Sequence, residues 1–236
     1  MLIQGQVGPV GPQSIQPGTN PTIRMGQLGD MIVSELHGRF YEQAYRGAFF
    51  RTGTTGAAVA GTATMGTATG TSATLATAAT GTPMLGVYNP ITSTVNAVIT
   101  QATLQTMVQT ATTPIPFNGL VWCVSVGNGG ITTGLTPWNS KTLTQTGSQC
   151  KGFAGATAVT GLSFTPTAME AADFYGGGMV TYGTVATTAI IPTYLARQDF
   201  DGQLIVPPGG LLALYNTSAT TTFSFTGRLL WEEVPL

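Results

Sequence analysis

Charge is scarce in this sequence. Asp, Glu, Lys and Arg make up 7% of its 236 residues, whereas about 25% is usual for a soluble domain. No charged residue occurs from Thr52 to Ser140, and the formal net charge is -1. A chain with so little net charge has no electrostatic attraction for nucleic acid or for an anionic membrane surface. We therefore expect neither nucleic acid nor a membrane as a partner.

Cysteine and histidine are nearly absent. The two cysteines, Cys123 and Cys150, are too few for a disulfide framework. Together with the single histidine, His37, they do not have the sequence spacing of metal ligands. The sequence therefore predicts free, unreactive thiols and neither a metal nor any other cofactor. His37 has no nucleophile motif beside it, so we interpret it as a structural residue rather than as the base of a hydrolase.

Signals for membrane insertion and secretion are also missing. No apolar run reaches the roughly 18 residues that a membrane-spanning helix needs. The first residues, MLIQGQVGPVGPQ, have no basic region followed by an apolar core, which a signal peptide requires. We expect a chain that begins where the sequence begins and is made in a cytoplasm.

Low charge does not indicate disorder in this chain. Disordered segments combine low hydrophobicity with high net charge, whereas 42% of these residues are hydrophobic and the mean hydropathy is +0.23. A chain of this length can form one large β-sandwich with a sizeable core. We expect it to fold.

The charge that is present is concentrated near the N-terminus. Residues 1–23 have none and are rich in Pro and Gly, so residues 1–29 are predicted to form an extended arm before a domain over 30–236. The segment 24–51 is interpreted as extended chain because Gly38, Gly47 and two aromatic pairs disfavour a helix. It contains seven charged residues: Arg24, Asp30, Glu35, Arg39, Glu42, Arg46 and Arg51.

Beyond residue 83 the pattern is that of β-strands. Apolar or alternating runs bounded by Gly, Pro, Asn or Ser predict strands at 84–88, 95–108, 120–126, 159–164, 179–185 and 204–206. Only residues 167–175 have a helical period. The predicted fold is all-β, an antiparallel jelly-roll-like β-sandwich with an extended N-terminal arm.

Two similar stretches support this prediction. MLGVYNPITSTVNAVI and LLALYNTSATTTFSF each run an apolar stretch into Tyr-Asn and then a Thr/Ser-rich turn. Asn suits a corner because its side chain satisfies nearby backbone groups. We interpret Tyr88-Asn89 and Tyr215-Asn216 as equivalent corners of two sheets, as a double-sheet jelly roll would place them.

These stretches also carry a resemblance to a known class of proteins. VPPGGLLALYN, LLWEEVP, VYNPITSTVNAVI and ELHGRFYEQAYRG resemble the virion structural proteins of tailed bacteriophages, of the jelly-roll cement, decoration or fibre-base type. The resemblance covers roughly residues 30–50, 83–108 and 203–236. It implies a non-enzymatic virion subunit that self-assembles, commonly as a homotrimer, and binds neighbouring capsid or tail proteins.

A function in assembly is consistent with the composition. A surface with little charge loses little hydration free energy when it is buried against neighbouring subunits. Mixed charges near the N-terminus can set the register against a neighbouring subunit. The residues predicted to take part in assembly are Arg24, Arg39, Arg46, Arg51, Trp231, Glu232 and Glu233.

One alternative function is a glycan-binding receptor protein at a fibre tip. Its sugars would stack on Trp122, Trp138 or Trp231. Tryptophan within a β-run such as Leu120–Trp122 is more often part of a core, and we interpret Trp122 in that way.

A second alternative is an enzyme with an unrecognised carboxylate site. Asp199 with Asp201, or Glu232 with Glu233, are the pairs available for acid–base chemistry or a hard cation. We interpret the first pair as a turn before a strand and the second as an exposed strand end. The glycine-rich stretches 127–130 and 176–178 lack the residues of a phosphate loop and are interpreted as turns.

Overall fold

The computed structural model describes residues 5–6, 23–24, 40–54, 59–60, 68–69, 72–73, 80–108, 120–155, 157–164, 167–171, 194–216 and 223–236. The chain divides into two compact units, Met1–Tyr41 and Glu42–Leu236. In the first unit, β1 (Gly5–Gln6) and β2 (Ile23–Arg24) form a parallel pair. The rest of the predicted arm over 1–29 lies outside the described residues.

A short helix and fifteen further strands follow along the described chain. They are α1 (Tyr41–Arg46), β3 (Phe49–Gly53), β4 (Val59–Ala60), β5 (Ala68–Thr69), β6 (Ser72–Ala73), β7 (Thr80–Gly81), β8 (Leu85–Tyr88), β9 (Val95–Val108), β10 (Leu120–Ser125), β11 (Trp138–Asn139), β12 (Lys151–Phe153), β13 (Val159–Thr160), β14 (Thr167–Ala171), β15 (Tyr194–Val206), β16 (Leu211–Asn216) and β17 (Phe223–Pro235).

Two antiparallel sheets contain the longer strands. The five-stranded sheet has the order β12-β8-β16-β10-β14, and the six-stranded sheet has the order β11-β3-β17-β9-β15 with β4 also paired to β17. Two further short antiparallel pairs are described, β13 with β7 and β5 with β6.

The pairing of eight of these strands is that of a jelly roll. In chain order they are β3, β8, β9, β10, β14, β15, β16 and β17. The first pairs with the last, the second with the seventh, the third with the sixth and the fourth with the fifth. A long hairpin rolled into two sheets gives this order. The predicted fold class, an all-β jelly-roll-like sandwich, is confirmed.

The main core lies between the two sheets. Apolar side chains from β8, β10 and β16 of the five-stranded sheet pack against those from β3, β9, β15 and β17 of the six-stranded sheet. Because side chains alternate along a strand, Leu212 and Leu214 of β16 join this core while Leu211, Ala213 and Tyr215 point to the opposite side.

The opposite side of the five-stranded sheet is covered by the chain itself. Ile131, Phe153 and Val159, from the connection between β10 and β14, form a second apolar cluster on it. This connection also adds β11 to one sheet and β12 to the other, and so closes one side of the sandwich. A Cβ atom on Gly152 of β12 would collide with the side chain of Thr52 in β3, so only glycine fits there.

The interpretation of the two Tyr-Asn stretches is wrong. They are not corners of two sheets, because β8 and β16 are neighbours in one sheet, with Leu85 opposite Leu214 and Tyr88 opposite Leu211. Being antiparallel, they place their Tyr-Asn ends at opposite ends of that sheet. The two sequences are similar because both strands are buried on both faces.

Three local predictions also need correction. The segment 24–51, interpreted as extended, contains α1 before β3 begins at Phe49. Residues 167–175 have a helical period in the sequence, but the first five of them form a strand, β14, which pairs with β10. Asp199 and Asp201 do not precede a strand but lie within β15, where the register shifts and Asp201 takes a left-handed φ of 53°.

Candidate functional site

Buried polar side chains hold the loops of the sandwich in place. The Nδ2 of Asn89, just after β8, donates to the carbonyl oxygens of Val95 at 2.7 Å and Val206 at 3.0 Å. Its own backbone N–H donates to Gly210 and its carbonyl accepts from Gly209. Its Oδ1 accepts from the Cys150 thiol at 3.6 Å. Every polar group of this fully buried residue is therefore used to join separate chain segments.

Asn128 has the same function at the start of the β10–β14 connection. Its Nδ2 donates to Ser125 Oγ at 3.0 Å and to the Gly209 carbonyl at 3.3 Å, and its backbone carbonyl accepts from the Tyr88 hydroxyl at 2.9 Å. The glycine-rich stretch 127–130 is thus a loop fixed to the sheet by a buried amide.

A buried carboxylate organises the loop before β12. Glu233 is 7% exposed, and its side chain accepts hydrogen bonds from the Ser148 hydroxyl, from the backbone N–H groups of Gln149 and Cys150, and from Nε1 of Trp231. Four donors thus converge on the two oxygens of this side chain and satisfy them inside the protein. Glu233 is therefore part of the interior, and the prediction of an exposed strand end is wrong for this residue.

Both thiols are free and buried. Burial raises the pKa of Cys123 to about 12. Burial raises the pKa of Cys150 further, and the adjacent Glu233 carboxylate adds to the shift. Since the thiolate is the reactive form, neither sulfur is suited to nucleophilic chemistry in the folded protein.

The outward face of the six-stranded sheet has a different character. Its side chains form two neighbouring rows across the strands, set by the register of β3, β17, β9 and β15. We call these two rows the Arg face; one is Trp138, Arg51, Leu230, Gln101 and Asp199, and the other is Gly53, Arg228, Thr103 and Arg197.

A chain of polar contacts orders the Arg face. Gln101, 9% exposed, donates from Nε2 to Asp199 Oδ1 at 2.9 Å and accepts at Oε1 from Nη2 of Arg228 at 3.5 Å. Arg197 Nε forms an ion pair with the same oxygen of Asp199 at 2.9 Å. The buried amide of Gln101 on β9 therefore positions charged side chains from the two strands beside it, β15 and β17.

Glu232 borders the Arg face on β17. Partial burial raises the pKa of its carboxyl group, and the charge of Arg46 in α1 opposes that shift. Because Glu232 and Glu233 are consecutive on a strand, they point to opposite faces of the sheet. They do not form a carboxylate pair.

The predicted assembly residues are divided by this geometry. Arg51 belongs to the Arg face, and Arg46 and Glu232 lie at its margin. Trp231 is fully buried in the main core, and Glu233 is buried on the same side of β17, where it accepts from Trp231 Nε1. Arg24 is described as part of β2, and Arg39 and His37 lie outside the described residues.

The three tryptophans also differ in position. Trp122 is fully buried, as interpreted from its β-run, and its Nε1 donates to Gln198 Oε1 at 2.7 Å. Trp231 is buried as well, while Trp138 is half-buried at the edge of the Arg face beside Arg51.

Sequence reasoning did not find Gln101, Arg197 or Arg228 as members of a site. Gln101 and Asp199 are 98 positions apart, and Arg228 and Gln101 are 127 positions apart. Only the strand pairing brings them together, and no local motif marks it.

Within the described residues, no group of three or more His, Cys, Asp or Glu side chains is placed to hold a metal ion. None of the helices described is long and apolar enough to cross a membrane. No protein-family model matches the chain, and comparisons with curated proteins and with solved structures found no significant match.

Proposed function

We propose that this chain is a non-enzymatic structural subunit of a virion, which assembles with copies of itself, as a homotrimer, and with neighbouring capsid or tail proteins. The fold alone does not distinguish this function, because jelly rolls occur in capsid proteins, lectins and cupins. The resemblance of its motifs to phage cement and decoration proteins favours the first of these.

The observation that carries the proposal is the Arg face. One side of the sandwich is covered by the chain's own β10–β14 connection, whereas the other presents ordered arginines with Trp138 and Leu230. Arginine and tryptophan are enriched where proteins bind proteins. The rest of the surface has little charge to desolvate, which favours packing against neighbours.

The polar side chains inside the sandwich support a structural function. The buried polar groups of Asn89, Asn128 and Glu233 are bonded to the chain's own backbone or side chains. They fix the connections between strands, which keeps a surface in one shape for repeated contacts in an assembly.

The test is to locate the chain in particles and to measure its own assembly state. Native mass spectrometry of the purified chain should give a homotrimer, and electron-microscopy density of the intact particle should contain the sandwich. Purified chain should also co-sediment with particles that lack it. A chain that is monomeric, absent from particles and bound to soluble oligosaccharides would replace this proposal with the glycan-binding alternative.

A further inference from the structure

The Arg face has more positive charge than its own residues neutralise. Arg51, Arg197 and Arg228 lie within two adjacent rows, and Asp199 is the one acidic residue among them. Three positive charges and one negative charge give a net charge of +2. In a chain whose formal net charge is -1, this is a local concentration of positive charge.

Two of these guanidinium groups have no acidic partner among the described residues. Asp199 is paired with Arg197, while Arg228 donates to the neutral amide of Gln101. Arg51 is half-buried, and within the described ranges no hydrogen bond or ion pair to its side chain is found. Arg51 and Arg228 are diagonal neighbours on paired strands, a relation within reach of long side chains. Like charges at neighbouring positions repel each other, and an anion supplied from outside would relieve that repulsion.

We propose that the Arg face docks an acidic surface of a neighbouring structural protein, whose carboxylates pair with Arg51 and Arg228. This inference rests on the proposed function and adds the face and the chemistry of its partner. Guanidinium groups bind carboxylates through two parallel hydrogen bonds, which gives direction as well as charge. Gln101 already holds Arg228 and Asp199 in place, so less side-chain freedom is lost when the partner binds.

The neighbouring residues favour a protein over nucleic acid as the occupant. Leu230 and half-buried Trp138 lie in the same row as Arg51, and the adjacent row contains Val98 with Ile205, which is 53% exposed. Such a mixture of arginine, tryptophan and aliphatic residues is typical of a protein interface, whereas nucleic acid is bound by a continuous positive surface.

Charge reversal tests the proposal in the full-length chain. Arg228→Glu and the double variant Arg51→Glu/Arg228→Glu are compared with Lys151→Glu, which makes the same change in charge on β12 of the five-stranded sheet. Binding is measured to particles that lack this protein and, independently of particles, to a fluorescent oligoglutamate peptide. Thermal unfolding of each variant checks that the fold is retained; Arg228 is exposed, so its single variant keeps the test valid if the double variant does not fold.

We expect Arg228→Glu to weaken both interactions about tenfold, because it replaces an attraction by a repulsion, and Lys151→Glu to change them less than about twofold.

If the wild-type chain binds particles and the reversals do not weaken that binding, the Arg face is not the interface although the proposed function stands. If binding to oligoglutamate depends on Arg228 while the wild-type chain binds no particle, the proposed function fails and the chemistry of the face stands. Tighter binding to a DNA oligonucleotide than to oligoglutamate, lost in the same variants, would overturn the acidic protein partner in favour of nucleic acid.

Discussion

Glu233 and Glu232 provide a matched pair of substitutions, because two neighbouring glutamates lie on opposite sides of one strand. In Glu233→Gln, an amide NH₂ replaces one carboxylate oxygen and the negative charge is lost. If the remaining oxygen stays with Ser148, the new NH₂ group faces the backbone N–H of Gln149, which now bonds to the other oxygen at 3.0 Å. One donor is then left without an acceptor.

The cost follows from these contacts. A hydrogen bond to a charged group contributes about 1.5–3 kcal/mol, and an unsatisfied buried donor costs about 1–3 kcal/mol. Removing the buried charge also removes its desolvation penalty, which offsets part of the loss. We expect Glu233→Gln to lower the free energy of unfolding by about 3 kcal/mol, whereas Glu232→Gln changes it by no more than about 0.5 kcal/mol, as is usual for a surface position.

The assay is thermal unfolding followed by circular dichroism at neutral pH. For a chain of this size, 1 kcal/mol shifts Tm by about 2–4 °C, so Glu233→Gln should lower Tm by about 6–12 °C and Glu232→Gln by less than about 2 °C. Equal shifts for the two variants would show that Glu233 is not held by the loop before β12, and the reasoning would be refuted.

Three further predictions concern other side chains. Replacing Trp122 by Phe leaves Oε1 of buried Gln198 without its 2.7 Å donor, so the free energy of unfolding should fall by about 2–4 kcal/mol; an unchanged urea midpoint would contradict this. The thiols of Cys123 and Cys150 should not react with a disulfide reagent at mildly alkaline pH until denaturant is added, because burial raises both pKa values; rapid reaction in the native protein would show that one of them is accessible. Since burial raises the pKa of Glu232 above its ordinary 4.5, the folded state binds this proton more tightly than the unfolded chain, and stability should fall slightly as pH rises through that raised value. Glu232→Gln should remove this small decrease, and an identical pH profile for the variant and the wild type would refute the assignment.

Strand prediction succeeded where periodicity and turn residues agree. The predicted strand 95–108 has the bounds of β9 (Val95–Val108), and those at 84–88 and 120–126 differ from β8 and β10 by one residue. The predicted strand at 204–206 is only the last part of β15. The prediction missed the earlier part of β15, which contains Arg197, Asp199 and Asp201. Its charged residues and the shift in register after Asp199 obscure the alternation of apolar and polar residues. The predicted strand at 179–185 lies outside the described residues.

Other features had no local signal to find. Helix α1 has six residues, too few for a helical period to be recognised. The sequence contained Tyr88-Asn89 as a repeated pair, but the partners of Asn89 come from Val95 and from Val206, 117 positions away. The Arg face depends in the same way on register between distant strands, so composition could indicate an assembling surface without indicating where it lies.

The strand order has a consequence for how the chain reaches its native state. β17 lies at the centre of the six-stranded sheet, between β3 and β9, yet it is the last of the eight strands to be synthesised. At the end of its pairing with β3, the Gly227 N–H donates to Oγ1 of Thr54, the residue after β3, across 173 positions. Such a high contact order slows folding, and until β17 is made, the edges of β3 and β9 that it will cover remain unpaired and prone to aggregation. The low charge that suits packing in an assembly gives the nascent chain little electrostatic repulsion against aggregation during that interval. A chaperone, or prompt association with other copies, would therefore have its greatest effect before β17 is in place.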